Sequence, residues 1–476
     1  MSFADLIEAH ARKQPRKLAL AFPETGREYT YQDLSRAVEQ FAGSTVSMNS
    51  GDKVALLLPN HPEAFVTLLG VMKRGAIPIP IDISLSEAEI KTILDHCGAK
   101  WLFRHGAPPE TLTLSSPPDK HPEDIAVLIP TSGTTAGSKV IAVTPTSLLT
   151  RLDATRKALG LDDSLVCACM LPLAHALFYP CLTTWYVGGT LVVCPPFNLK
   201  TVPFWGPWIG RYAAHTTHLI PPLARVLVQA RRRVQTSELS SLRFMTCVSS
   251  PLEPKLIGEF EKAYGIPLLN CYGLKETGFI AFTSQDLSSR NLEAVGEIRP
   301  DETRIVDKSG RPVPPGNVGE VVFKTDATAP GFQYYRRPDL NKLAFKKGWF
   351  YTGDMGRLDE QGRLYLHGRI NDLIICRGRK VNPEEVEEVL RRHEAVLEAA
   401  ASGMPNSQSG QKVVACFVMR PGGEATVRDI ITHCRRYLAD YKCPVRIKRV
   451  AALPRGPLGK VHRPKVRGLF PDLAHP

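Results

Sequence analysis

Through the first half of the chain, short apolar runs alternate with segments in which apolar positions recur at helical spacing. The runs are four to six residues long and rich in Leu, Val, Ile and Ala, as expected for buried strands. Regular alternation of strands and helices is typical of an α/β fold with parallel sheet. The pattern therefore predicts two α/β subdomains, with strands at 18–22, 53–58, 76–81, 190–193 and 244–248 and helices at 62–73, 219–232 and 253–264.

The pattern changes after Gly296. Short strands separated by Gly/Pro turns, at 303–307 and 319–323, predict a small β-rich subdomain. Residues 371–476 then mix strands with two amphipathic helices, at 383–392 and 427–437, which predicts a separate small α+β domain. A chain of 476 residues exceeds one typical hydrophobic core, so a division at about residue 370 agrees with its length.

A loop rich in hydroxyl groups follows the apolar run at 126–129. Glycines permit close approach of a ligand, hydroxyl and amide groups donate hydrogen bonds, and a lysine adds positive charge, so such a loop suits an oxyanion. Its spacing is not that of a Walker A motif. The alternative is a flexible surface turn. The candidate ligands are Thr131, Ser132, Gly133, Thr134, Thr135 and Lys139.

A second element that suits anions lies more than 300 residues further on, where Lys460 stands in a turn rich in Pro and Gly. Two such elements in one chain indicate a nucleotide enzyme. The alternative for Lys460 is one more cation in a basic tail, since residues 371–476 hold 19 Lys/Arg against 11 Asp/Glu. That surplus suits a polyphosphate or an acidic carrier protein. Nucleic acid is not expected, because no DNA- or RNA-binding motif accompanies the charge.

Composition narrows the class further. The chain is 43% hydrophobic and 22% charged, with a net charge of +13. No uncharged apolar run is long enough to span a membrane, and the start lacks the features of a secretory signal. Eleven cysteines without paired ligand spacing indicate reduced thiols and a cytoplasmic protein.

Six motifs follow one another along the chain in a specific order. This ordered set resembles the adenylate-forming superfamily, which includes acyl-CoA synthetases, adenylation domains of peptide synthetases and luciferase-like enzymes. The resemblance covers residues 18–463. The motifs are the loop at 131–139, Leu171-Pro172-Leu173-Ala174-His175, Asn270 to Glu276, Trp349 to Asp354, Gly368-Arg369 and the Lys460 turn.

The resemblance implies an N-terminal adenylate-forming domain, 1–370, and a mobile C-terminal domain, 371–476. A carboxylic acid would attack the α-phosphate of ATP to give an acyl-adenylate and pyrophosphate. Catalysis of this kind is mostly positioning and stabilisation of phosphoryl charge. The resemblance implies that the loop at 131–139 binds the β and γ phosphates, that Tyr272 and Gly273 lie along adenine and the acyl pocket, and that His175 lines the acyl pocket. It implies that Glu276 binds Mg²⁺ and that Asp354 and Arg369 bind the ribose hydroxyls. Lys460 would bind the acid and the α-phosphate together.

Each assignment has a structural alternative. Asp354 could close a turn, Glu276 could form an ion pair with Lys275 or Lys139, and His175 could be a core residue. The chain also departs from the family pattern at several positions. The departures in the loop predict weaker phosphate binding there, and another leaves a lysine where the family usually has a hydroxyl group. These departures are Ala136, Val140, Lys275 and Asn371.

The second half-reaction transfers the acyl group to a thiol. The resemblance implies that residues 377–380 move to the site, where Gly378 permits close approach of a pantetheine arm. The thiol would belong to coenzyme A, the favoured acceptor, or to the phosphopantetheine of a carrier protein. The absence of a carboxylate from the segment that follows His175 favours a fatty or aryl acid over an amino acid. The alternatives are a stand-alone ligase that loads a carrier protein and a non-catalytic nucleotide-binding descendant.

Overall fold

The computed structural model describes residues 3–44, 47–113, 124–131, 139–195, 201–234, 236–249, 251–326, 331–376, 379–406, 410–456 and 459–471. The chain divides into two compact units. One comprises Met1–Glu302 and Phe323–Phe350, and the other Thr303–Val322 and Tyr351–Pro476. The second unit thus includes the predicted C-terminal domain and two segments that precede it. The domain boundary at 370/371 stays a prediction.

Fifteen strands precede residue 300 in the part of the chain that the structure describes. They are β1 Leu18–Phe22, β2 Arg27–Thr30, β3 Lys53–Leu57, β4 Ile77–Pro80, β5 Trp101–Arg104, β6 Glu110–Thr111, β7 Val127–Pro130, β8 Val140–Val143, β9 Val166–Cys169, β10 Thr190–Val193, β11 Thr216–Leu219, β12 Phe244–Cys247, β13 Leu268–Leu274, β14 Gly278–Phe282 and β15 Gly296–Ile298.

The strands after residue 300 are β16 Thr303–Val306, β17 Gly319–Lys324, β18 Phe332–Tyr334, β19 Phe345–Lys346, β20 Trp349–Leu358, β21 Arg363–Arg369, β22 Ile374–Cys376, β23 Arg379–Val381, β24 Val396–Asn406, β25 Gly410–Met419 and β26 Arg446–Arg449.

The α-helices are α1 Phe3–Lys13, α2 Tyr31–Ala42, α3 Pro62–Lys73, α4 Glu87–Cys97, α5 Pro145–Leu159, α6 Leu173–Ala176, α7 Thr183–Tyr186, α8 Val202–Arg211, α9 Pro221–Gln229, α10 Pro254–Tyr264, α11 Pro338–Ala344, α12 Pro383–Arg392, α13 Val427–Tyr437 and α14 Arg463–Gly468. A π-helical turn, Leu177–Leu182, joins α6 to α7.

Three sheets build the first unit. The largest runs in the order β15-β14-β13-β12-β11-β9-β10-β1-β2, and its six central strands, from β13 to β1, are parallel. A second sheet, β4-β3-β5-β6, is parallel except at β6. A small antiparallel sheet, β18-β8-β7, carries the loop at 131–139 as a hairpin connection. The predicted α/β class is confirmed.

Local chemistry explains where several helices begin. Thr30 opens α2 and Ser86 opens α4 as reciprocal capping boxes with the carboxylates three residues on. The predicted start of the helix at 219–232 is wrong, because Leu219 belongs to β11 and α9 begins at Pro221. The fixed φ of proline suits the first turn of a helix. The core of this unit includes the fully buried Trp185, whose indole N–H donates to the Ala19 carbonyl.

In the second unit, the strands β16, β17, β20 and β21 lie side by side in that order. A separate sheet is formed by β23-β22-β25-β24, with β26 beside β25. Helices α12 and α13 lie where the periodicity predicted them, and their apolar faces bury Val386, Leu390 and Ile430 with Phe417 of β25. The predicted α+β character of this region is confirmed.

Among the described residues, no helix has the length and apolar character needed to cross a membrane. All eleven cysteines are buried free thiols. Burial raises the pKa of several of them, such as Cys97 to about 12, because a thiolate would lose its hydration there.

Candidate functional site

The hydroxyl-rich loop connects two paired strands. Pro130 at the end of β7 is the register partner of Val140 at the start of β8. Thr131 closes the connection, since its backbone N–H donates to the Lys139 carbonyl at 2.8 Å and its hydroxyl donates to the same oxygen at 3.1 Å. The other predicted phosphate ligands, Ser132, Gly133, Thr134 and Thr135, lie outside the described residues.

Tyr334 lies between two of the predicted site residues. It ends β18, beside β8. Its hydroxyl donates to Glu276 Oε1 at 3.0 Å, and Lys139 Nζ stands 5.4 Å from the centre of its ring. The structure thus brings the lysine of the loop and the acid of the 270–276 motif to one tyrosine, although 137 residues separate them in sequence. Sequence reasoning missed Tyr334, which lies outside every motif.

Backbone geometry explains the glycine of the 270–276 motif. Tyr272 is buried on β13, and Gly273 lies at a bulge opposite β14. A Cβ on Gly273 would stand 2.5 Å from the Gly278 carbonyl oxygen, closer than side-chain carbons come. Only glycine therefore fits this register.

The family departure at Lys275 has a definite position. Its Nζ donates to the carbonyl of Pro130 at 2.8 Å, so the cation contacts the residue directly before the hydroxyl-rich loop. A threonine or serine at this position would be too short to span the same distance.

Buried Arg151 of α5 holds the same segment from the other side. Its guanidinium donates to the backbone carbonyls of Lys275, at 3.1 Å, and of Glu276. It packs over the rings of Phe178 and Phe332, at 5.4 and 4.7 Å. Burial lowers the pKa of Arg151 to about 9, while the charge of Glu276 acts in the opposite direction, so the group is protonated at pH 7. A lone arginine in an amphipathic helix carried no sequence signal for this role.

The His-bearing motif is held by two residues that follow strands of the second sheet, Asn60 after β3 and Asp82 after β4. The side-chain amide of Asn60 donates to the Leu171 carbonyl and accepts from the Leu173 N–H, both at 2.9 Å. His175 Nε2 stands 2.7 Å from Asp82 Oδ2, and the two side chains are only 7% and 10% exposed. His175 is therefore partnered by a buried carboxylate that sequence reasoning missed. The sequence signal for Asp82 is its position, because this residue follows the carboxyl end of buried β4.

Hydrogen bonding controls the ionisation of Asp82. Burial raises its pKa, but the hydrogen bonds from His175 and Ser84 and the charge of His175 outweigh this effect and lower the pKa to about 2. The carboxylate is thus ionised at neutral pH. A cavity of about 250 Å³ lies beside this pair, lined mostly by apolar residues that include Phe22, Leu58, Ile81 and Leu173.

In the second unit, Asp354 and Arg369 are brought together. They are register partners on β20 and β21, and Arg369 Nε lies 2.8 Å from Asp354 Oδ1. Asp354 is buried, whereas about half of the Arg369 side chain is exposed. An acceptor and a donor thus stand side by side at one end of this strand pair.

The turn that carries Lys460 is held at both ends by arginines. Arg455 donates to the Gly459 carbonyl and pairs with Glu398 at 2.8 Å. Arg463, at the start of α14, pairs with Glu387 of α12 and Asp372 and donates to the Ala401 carbonyl of β24. The Lys460 side chain itself is exposed. Gly378 lies outside the described residues.

Two groups of the predicted site residues thus occur, one in each unit, on a fold of parallel α/β sheets followed by a small α+β domain. This combination is the one expected of an adenylate-forming enzyme. The sequence profile of the AMP-binding enzyme family matches residues 7–333, and that of the AMP-binding enzyme C-terminal domain matches residues 385–460. The chain belongs to the AMP-binding enzyme family, and the predicted AMP-forming acid–thiol ligase is confirmed.

Known relatives extend over nearly the whole chain. A sulfoacetate–CoA ligase of Cupriavidus necator is 30% identical, with 98% of this chain and 97% of the relative covered. An oxalate–CoA ligase of Arabidopsis thaliana is 28% identical, with 97% of each covered. The crystal structure of ATP-bound MatB from Rhodopseudomonas palustris superimposes with a TM-score of 0.86 at 23% identity over all of both chains, which supports the fold.

Proposed function

We propose that this chain joins a carboxylic acid to coenzyme A at the expense of ATP, through an acyl-adenylate. The observation that carries the proposal is the approach of Lys139 and Glu276 to one tyrosine, which supports a role in phosphate binding for the lysine and a role in metal binding for the nearby carboxylate. Pyrophosphate leaves in the first half-reaction and AMP in the second.

The first unit would hold the triphosphate. The loop residues Thr131 to Thr135 and Lys139 would surround the β and γ phosphates, and Tyr272 with Gly273 would lie along the adenine and the acid. Glu276 would bind Mg²⁺, since its partly exposed carboxylate offers the oxygen ligands that this ion prefers. The bound ion would neutralise phosphate charge. Arg151 and Tyr334 fix the backbone and the side chain of Glu276.

The second unit would supply the ribose and acid contacts. Asp354 would accept from a ribose hydroxyl and Arg369 would donate to one. Lys460 would bridge the carboxylate and the α-phosphate, two anions that repel each other without it. Gly378 would serve thiol transfer. We propose a domain boundary at 370/371, so that residues 371–476 carry Lys460 and Gly378.

The acid is proposed to be a non-amino acid. Asp82, the carboxylate that contacts the His-bearing segment at His175, is already engaged in this pair and is not available to bind an amino group. Relatives named for sulfoacetate, oxalate and, at 27% identity, feruloyl-CoA synthesis favour small anionic and aryl acids as the first to be tested. Eleven reduced cysteines support a cytoplasmic location.

The test is pyrophosphate release with ATP, Mg²⁺ and a panel of small dianionic, aryl, fatty and amino acids. We expect release with one acid class and release of AMP together with acyl-CoA when coenzyme A is added. Adenylation that leaves coenzyme A unacylated would favour a carrier protein as acceptor. Absence of pyrophosphate release across the panel, with ATP bound, would overturn the proposal in favour of a non-catalytic descendant.

Substitution of Asp82 by asparagine should impair use of the acid. We expect kcat/KM for the acid to fall about 10-fold and KM for ATP to stay constant, because His175 loses a charge-assisted hydrogen bond that orients it. Steady-state kinetics with each substrate varied in turn measures the effect. The matched control is Asp52→Asn, which breaks a pair with Lys100 at 2.9 Å elsewhere in this unit. Equal effects of the two variants would contradict the role.

The pH dependence of stability at this pair follows from the lowered pKa. Because the pKa of folded Asp82 lies near 2 and its ordinary value is 3.8, the pair stabilises the fold above about pH 4, and the contribution is lost as the pH falls toward 2. The Asp82→Asn variant should therefore lose stability relative to wild type at pH 7, and the difference should shrink in acid.

A further inference from the structure

A group of metal-ligating side chains lies apart from the nucleotide-binding residues in the first unit. His61 is the N-cap of α3, Glu63 lies in its first turn, and His105 directly follows β5. Their ligand atoms all lie within 4.8 Å of one another. Glu63 Oε2 is 2.9 Å from His105 Nδ1 and 3.9 Å from His61 Nδ1. Sequence spacing did not reveal this group, because His105 is 42 residues from Glu63.

These distances suit a tetrahedral ion. Zinc–nitrogen and zinc–oxygen bonds of about 2.0–2.2 Å place neighbouring tetrahedral ligands about 3.3 Å apart, a value between the two distances observed here. The three side chains are 34–49% exposed, so an ion can reach them without unfolding of the unit.

Charge at the group favours a cation. Glu63 supplies a negative charge beside the two imidazoles, and both histidines lie within 4.0 Å of its carboxylate, as a divalent cation requires at this position.

We propose that His61, Glu63 and His105 form a zinc site with two imidazole ligands and one carboxylate ligand. Two nitrogens and one oxygen suit zinc better than magnesium or calcium, which prefer oxygen ligands alone. Three protein ligands leave a fourth position for water or an anion. His61 also lines the cavity of about 250 Å³ beside Asp82, so an anionic group bound in that cavity could reach the fourth position. The site is distinct from the magnesium proposed at Glu276.

The experiment is calorimetric titration of the full chain with zinc chloride after treatment with a chelator, in the absence of ATP and magnesium. We expect saturable binding of one ion by the wild type. Glu63→Gln and His105→Ala should each weaken binding at least about 10-fold, since even residues that only support metal ligands have effects of that size. His61 is left intact because its Nδ1 also caps α3 by accepting from the Glu63 N–H at 3.4 Å, a bond that zinc at Nδ1 would replace.

The matched control is His393→Ala, which removes one histidine from a second neighbouring pair, His393 and His433, with ring centres 5.1 Å apart. Binding by this variant should equal that of the wild type. Cobalt(II) in place of zinc should give the strong visible absorption of a tetrahedral site, and Glu63→Gln should reduce it. Absence of saturable binding, or equal binding by all four proteins, would overturn the proposal. Neither outcome depends on ligase activity.

Discussion

Replacement of Lys460 by alanine should reduce acid-dependent pyrophosphate release by about 10²- to 10³-fold, the usual cost of losing one preorganised charge that faces a transition state. The reason is electrostatic, since no other group is proposed to bridge the carboxylate and the α-phosphate. The residue lies in a turn fixed by Arg455 and Arg463, so truncation of its exposed side chain should leave the turn intact. Pyrophosphate release measured at saturating acid and ATP tests the effect.

Two controls separate this role from a general effect of charge. Lys465→Ala removes an exposed lysine five residues away, on α14, and should retain wild-type release. The Lys460→Ala protein should also still transfer the acyl group from a synthetic acyl-adenylate to coenzyme A, because that half-reaction needs no bridge to the α-phosphate. Equal losses in both lysine variants would contradict the assignment.

Replacement of Arg463 by alanine should destabilise the second unit by about 3–5 kcal/mol, because it leaves a buried carboxylate without its cation. The Arg463 and Glu387 side chains are 16% and 8% exposed, and the arginine also donates to the Ala401 carbonyl. Burial lowers the pKa of Arg463, but the charge of Glu387 and its hydrogen bond outweigh this effect and raise the pKa, so the guanidinium is charged throughout the physiological range.

Native-state hydrogen exchange of peptides from α12 and β24 measures this local loss without assuming two-state unfolding of a multidomain chain. Arg455→Ala is the control, because its pair with Glu398 is 32% and 26% exposed and should contribute no more than about 1 kcal/mol. Equal protection of α12 and β24 against hydrogen exchange in the Arg463→Ala and Arg455→Ala variants would contradict the account of Arg463.

The fold class could be predicted because the strands and helices carry strong local signals. Helices α12 and α13 match the predicted spans, and the buried strands of the first unit appear as short runs made mostly of apolar residues. The start of α9 was wrong by two residues, because the apolar pattern continues from the end of β11 through Ile220 into the helix while only Pro221 marks the boundary.

The residues that hold the site could not be predicted in this way. Arg151, Asp82 and Tyr334 reach the motifs through tertiary contacts between elements far apart in the sequence, and none of them belongs to one of the six motifs. The motif residues themselves were predicted through the ordered set. Which of them share a contact, as Lys139 and Glu276 do at Tyr334, depends on the pairing of β18 with β8.

The most direct test of acyl-adenylate formation is oxygen transfer from the acid to AMP. The protein is given ATP, coenzyme A and the active acid with both carboxylate oxygens labelled with ¹⁸O, and AMP is analysed by mass spectrometry. Attack of the carboxylate on the α-phosphate, followed by displacement of AMP by the thiol, leaves one labelled oxygen in AMP and one in the thioester. We predict one ¹⁸O in each AMP formed. Unlabelled AMP, or label in inorganic phosphate with ADP as product, would contradict the account.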